Sequence, residues 1–169
     1  THVAGIAAGL GVGSDVGDDY RGVAPGADLI GLSTGEAIEA VNVLAAFDWV
    51  IDNAAAYNIR VVNNSWGPGP GTPHDPAHPV NRAIAAATDA GISVVFGAGN
   101  AGPVTDTMNA FSVDPDAISV AGGTKDGHIA FFSSRGVPGS ELWRPDVTAP
   151  GFMISAPRAS TGFYAHLAG

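Results

Sequence analysis

Two strand–helix–strand units in succession constrain this chain more than any other feature. Residues 28–32 (DLIGL) read as a short apolar strand. Ser33 followed by Glu36 has the capping-box spacing, so a helix is expected from about Glu36 to Tyr57. Its apolar positions Ile38, Val41, Leu44, Phe47, Val50 and Ile51 keep the three-and-four spacing of one buried face, and Asn58 is placed to end it. Residues 59–64 (IRVVNN) form the next strand. A Pro/Gly loop over 68–79 leads to a helix over 80–90, which Gly91 stops, and 93–97 is the third strand. Such units close with right-handed crossovers and give a parallel sheet with helices on both faces, an α/β fold. Beyond Gly102, residues 117–121 (AISVA) add one more strand, and Lys125-Asp126-Gly127 reads as a turn into 129–133. No repeat or linker divides the chain, so residues 1–169 are read as one domain.

The composition suits that reading. Hydrophobic residues make up 46% of the 169, far too many for a disordered chain. The 24 glycines and 12 prolines are scattered, which rules out collagen-like and low-complexity classes. The longest apolar runs are well short of a bilayer span, so no membrane partner is expected. Without cysteine there is no disulfide, thiol chemistry or cysteine metal site. Seven basic residues face 16 acidic ones, a net charge of −9, and Lys125 is the single lysine. Nucleic-acid binding needs a basic stripe, and this chain has none. The opening Thr1-His2-Val3-Ala4-Gly5 has no signal-peptide pattern and reads as the middle of a motif, as in a fragment.

In a sheet of this type chemistry sits beyond the carboxyl ends of the strands. Three such ends carry unusual residues: Ser33-Thr34-Gly35, Asn63-Asn64-Ser65-Trp66-Gly67 and Gly97-Ala98-Gly99-Asn100. The last continues through Ala101 to Gly102 and spells G-x-G-x-x-G, the dinucleotide fingerprint. That fingerprint must open a helix, because the pyrophosphate rests on the helix N-terminus. Here Pro103 and a polar, turn-rich stretch follow, and the motif comes after the third strand rather than the first. The alternatives are a plain glycine-rich turn and a loop that presents the Asn100 carboxamide to a reacting group.

The segments THVAGIAAG, GVAPGADLIGL, VVNNSWGPG, VVFGAGNAGP, FFSSRG and RPDVTAPG occur in the order found in subtilisin-like serine proteases, and this resemblance covers nearly the whole chain. It implies the subtilisin-like three-layer α/β/α fold, here incomplete, and a polypeptide substrate. Asn100 matches the asparagine whose amide donates to the oxyanion, a fixed donor where negative charge develops. Ser65, Trp66 and Gly67 match the segment that pairs with substrate backbone as an added strand. Gly67 with Gly97, Ala98 and Gly99 would wall the pocket for the side chain before the cut, with room for a large apolar group. Trp66 stands where many relatives carry leucine. Thr34 to Ala37 would lie on the other side of the bound peptide. The resemblance also implies an extracellular, secreted protein working as a monomer. It implies no required cofactor, although family members often bind calcium for stability.

The same resemblance places all three triad members outside the chain. The family's histidine motif reads H-G-T-H-V-A-G, so His2 corresponds to the second, non-catalytic histidine. The serine motif reads G-T-S-M-A, and the chain stops at Gly169, two residues before the serine. The aspartate's strand lies upstream. The expectation is a serine endopeptidase whose central part is present here, the 169 residues alone being inactive. A non-catalytic peptide-binding domain and a nucleotide-binding enzyme are the other two readings.

Remaining motifs have plainer readings. His74-Asp75 with His78 lacks the helical spacing of a zinc site and reads as loop residues. Asp15, Asp18 and Asp19 lack the EF-hand ligand pattern. Asn63-Asn64-Ser65 is a formal glycosylation sequon at a strand end. Ser133 and Ser134 have no base that can be named, and His128 and His166 read as surface or packing residues.

Overall fold

The computed structural model describes residues 1–13, 19–34 and 37–169. Its elements in chain order are α1 (His2–Ala8), α2 (Ala40–Tyr57), β1 (Val61–Asn64), α3 (Pro79–Asp89), β2 (Ser93–Gly97), β3 (Ala117–Gly123), β4 (Val147–Pro150), β5 (Ile154–Pro157) and β6 (Tyr164–Leu167). The first four strands form one parallel sheet in the order β1-β2-β3-β4. Strands β5 and β6 make a separate antiparallel pair.

The hydrophobic core sits between the sheet and α2 with α3. Val94 and Phe96 on β2 meet Val80, Ile84 and Ala87 on α3 and Val43, Phe47 and Val50 on α2, all nearly or wholly buried. Each of the valine, isoleucine and phenylalanine side chains among them contributes about 1.5–3 kcal/mol by leaving water. The α2 stripe runs Val43, Phe47, Val50 and Ala54, flanked by Leu44 and Ile51. Val41 and Ile38 are exposed, because the helix begins at Ala40 and its inner line is set by Val43. Asn58 ends the helix in a left-handed conformation, φ 52°. Gly91 follows α3 with φ +79°, the conformation that glycine adopts at no steric cost.

Along β2 the pleat alternates. Val95 points to the face opposite the helices, as does Val120 on β3, and both line a cavity with Val3 and Ile6 of α1 on its far side. Helix α1 is held there by the β5–β6 pair: Gly5 lies against the Pro157 ring, where a Cβ would clash, and His2 Nε2 lies 3.2 Å from the Ala165 carbonyl. Helices therefore stand on both sides of the sheet, α2 and α3 directly and α1 across a cavity.

Several elements differ from expectation. Residues 28–32 form no strand: Leu29, Ile30 and Leu32 are exposed, and no ladder partner pairs with them among the described residues. Helix α2 uses Glu39 as its N-cap, not Ser33, and no side chain caps it; Gly35 and Glu36 of the expected capping box lie outside the described residues. Helix α1, strand β4 and the β5–β6 pair were not anticipated as elements.

Candidate active site

Because β1 to β4 are parallel, Asn64, Gly97, Gly123 and Pro150 all end on one edge. The cavity opens at that edge with a volume of about 620 Å³. Ser65, Trp66, Gly67, Gly97, Ala98, Gly99 and Asn100 all line it, so two of the three unusual strand ends converge as expected. The third does not join them. Thr34 and Ala37 are absent from the lining, the Thr34 carbonyl accepts instead from Asn42 Nδ2 at 3.1 Å, and Gly35 lies outside the described residues.

The glycines after β2 are explained by packing. Gly99 has φ +115°, and a Cβ there would stand 2.8 Å from Ser134 Oγ. A Cβ on Gly102 would run into the Ser133 carbonyl. The segment before Arg135 staples the loop: the Ser134 amide donates to Gly99 O at 2.9 Å, the Ala101 amide to Ser134 Oγ at 3.1 Å and the Gly102 amide to Phe132 O at 2.8 Å. Ser133 Oγ accepts from the Gly122 amide in the same way. No helix follows Gly102, so the N-terminal dipole that a dinucleotide needs is missing at this loop. What the loop displays is Asn100. Its side chain is exposed, and among the described residues its carboxamide makes no hydrogen bond. A Cβ on Gly169 would lie 3.4 Å from Asn100 Nδ2, so the end of the chain passes beside that amide.

The opposite wall is held from behind. Trp66 packs edge-on to Phe96, ring centroids 5.4 Å apart, and to Phe111 at 5.7 Å, and this anchors the extended 65–67 segment to the core. Asn63 Nδ2 donates to Ser65 Oγ at 3.1 Å. Between the walls stands a residue that the sequence did not single out, Asn109. It is 5% exposed. Its Nδ2 donates to Gly97 O at 2.9 Å, its Oδ1 accepts the amides of Phe111 and Ser112, and its own amide donates to Ala98 O at 3.3 Å. A Cβ on Gly67 would stand 2.7 Å from Asn109 Nδ2. Nothing in the turn-rich stretch after Gly102 marks Asn109 as a link between the walls, because Gly67 and Gly97, which it bridges, lie on two other segments.

His2 is the one ionisable side chain among the described residues of the lining. The lining presents the exposed Asn100 carboxamide as a hydrogen-bond donor alongside residues 65–67.

Elsewhere the motifs resolve into structural roles. His74 Nε2 lies 3.1 Å from the buried Asp114 carboxylate, His78 Nδ1 accepts the Val80 amide as the N-cap of α3, and Asp75 Oδ1 accepts the Ala77 amide. These three side chains thus point to three different partners. Asp15 and Asp18 lie outside the described residues. The Arg21 guanidinium beside Asp19 holds its carboxyl down to about 2. The Thr124 hydroxyl, with its own backbone and His128, lowers Asp126. His166 Nδ1 meets Ser155 Oγ at 2.7 Å across the β5–β6 pair.

The chain is similar to known proteases in sequence and in fold. The chain is 33% identical to the serine protease AprX of Bacillus subtilis (strain 168), over 96% of its own length and 40% of that protein. It is 35% identical to subtilisin-like protease 3 of Pseudogymnoascus destructans, over 91% of its length and 34% of that one. Among solved structures it matches the S41 psychrophilic protease with a TM-score of 0.80 and 29% identity, and sphericase with 0.80 and 28%. In both cases the whole chain is covered and 57% of the other. The chain thus spans about a third to three-fifths of the length of these relatives. With the subtilase family model matched from residue 1 to residue 169, the chain belongs to the subtilase family of serine peptidases.

Proposed function

We propose that this chain supplies the peptide-binding groove and the oxyanion donor of a secreted serine endopeptidase. The observation that carries the reading is the unpartnered Asn100 carboxamide, held by a stapled loop at the carboxyl end of β2 in a cavity it shares with residues 65–67. A substrate lying along Ser65, Trp66 and Gly67 adds a strand through main-chain hydrogen bonds. Its scissile carbonyl then meets Asn100, whose amide stabilises the oxyanion as charge develops. The resemblance puts the serine, histidine and aspartate outside these residues. There the serine attacks the carbonyl, the histidine takes its proton, and the aspartate orients the histidine. The working unit in this reading is a monomer.

In this reading the 169 residues alone bind without cutting, since His2 is the one ionisable side chain among the described residues of the cavity. A serine-directed phosphonate probe tests both halves. The full-length protein should cleave peptides and lose that activity as the probe labels it, while the 1–169 polypeptide is neither labelled nor active. Labelling of 1–169 that tracks peptide cleavage would overturn this assignment.

A further inference from the structure

We propose that the cleft between residues 103–105 and the 135–144 loop is a binding site for the carboxyl terminus of a peptide that ends in a large apolar residue. The peptide class rests on reading the chain as part of a peptidase, because each hydrolysis turns an internal amide into an amine and a new carboxyl terminus.

The cleft holds about 460 Å³, within the range of small-ligand sites, and shares no lining residue with the cavity at the carboxyl edge of the sheet. Its apolar lining comes from Pro103, Val137, Leu142 and Trp143. Trp143 is 87% exposed, an unusual position for a ring that is mostly buried in folded chains. These walls are already built. Residues 137–140 form a turn closed by the Ser140 amide on Val137 O at 3.2 Å, with Gly139 at φ +79°. Gly136 packs so closely on the Arg144 carbonyl that a Cβ would clash, and its own carbonyl accepts the Asp106 amide at 3.2 Å. The loop is thus closed on itself and tied to the segment across the cleft.

The polar groups in the lining suit an anion. Among the described residues no aspartate or glutamate joins it, although the chain has 16 acidic residues; Asp106 and Glu141 flank it in sequence only. Thr105 and Ser140 bring side-chain hydroxyls without a hydrogen-bond partner among the described residues. Two arginines line the cleft. The Arg144 guanidinium is engaged: it donates to Ala117 O at 2.9 Å and Asp114 O at 2.6 Å and pairs with Asp146. Arg135 keeps its donors. Its guanidinium makes one long hydrogen bond, 3.5 Å to Ala130 O, and among the described residues it has no acidic partner. In a chain of net charge −9, a cation without an acid is where a carboxylate can settle. Guanidinium takes carboxylate through two parallel hydrogen bonds, and the apolar side chain next to that carboxylate fills the space beside Trp143.

The test uses the full-length protein with its serine blocked by the phosphonate, so that peptides are kept from the groove. It is titrated by calorimetry with acetyl-Ala-Phe as the free carboxylate and as the amide. The carboxylate should bind about 10–100-fold tighter, the effect of a hydrogen-bonded charge, and Arg135→Gln should close that gap. Trp143→Ala, at an exposed position that folding tolerates, should weaken both peptides and keep the gap, which holds the proposal to account even if Arg135→Gln does not fold. Equal affinity for carboxylate and amide, no saturable binding, or affinities unmoved in the folded variants overturns the proposal. Binding of 3-phenylpropionate as tight as that of the peptide overturns the peptide assignment in favour of small carboxylic acids. Failure of the phosphonate to label the full-length protein overturns the peptidase reading, and the same carboxylate-against-amide comparison on the unblocked protein then decides the cleft by itself.

Discussion

At Gly102 there is no room for a methyl group, because the Ser133 carbonyl occupies the space. Gly102→Ala in the full-length protein must push apart the loop that carries Asn100 and the segment that staples it. The expected loss is about 1–3 kcal/mol, typical of overpacking a well-filled site. Gly26 has open space where its Cβ would go, so Gly26→Ala is the matched control and should leave the melting temperature nearly unchanged or slightly raised. Equal melting temperatures for the two variants would contradict this account of the loop. The glycines were visible in the sequence, but their reason was not: the atoms they avoid belong to residues about thirty positions later. The bridge that Asn109 makes between the walls was invisible for the same cause, since Gly97 and Gly67 lie in other segments. Asn100 is singled out by the ordered family segments around it, whereas bare spacing leaves a dinucleotide loop and a plain turn open beside it.

Elements were legible where local pattern and tertiary partner agree. Strand β2 matches its expected span because five apolar or small residues between Gly91 and the glycine loop have neighbours on both sides in the sheet. Helix α3 matches to within a residue at each end, with His78 capping it and Gly91 after it. The failures are cases where an element depends on what it touches. Residues 28–32 have strand composition and no ladder partner among the described residues, so they stay exposed. The β5–β6 pair carries Pro157 at its margin and is joined by a polar turn, so neither strand shows enough alternation to be read locally. Helix α1 contains Gly5, a poor helix residue that is required where the Pro157 ring presses against it.

For the molecule as a whole, the sheet is covered unequally. One face is sealed by α2 and α3, while Val95 and Val120 on the other face border an open cavity, and among the described residues β1 pairs on one side only. An open apolar face and a free strand edge both favour association. The 1–169 polypeptide in isolation should therefore unfold over a broad range or aggregate, as followed by calorimetry and light scattering. A sharp, cooperative transition of a monomer would count against that. The same cavity concentrates the functional claim, because the groove, the wall and the free amide all open into it. Asn100→Leu in the full-length protein tests that claim most directly. Leucine keeps the volume and removes the donor. The amide meets a tetrahedral oxyanion better than a flat carbonyl, so its loss falls on the transition state. Steady-state kinetics should show kcat lowered by about 10²–10³, the range known for such a donor in a subtilisin itself, with KM and melting temperature little changed. An unchanged kcat with a lowered melting temperature would make Asn100 a turn former and contradict the account.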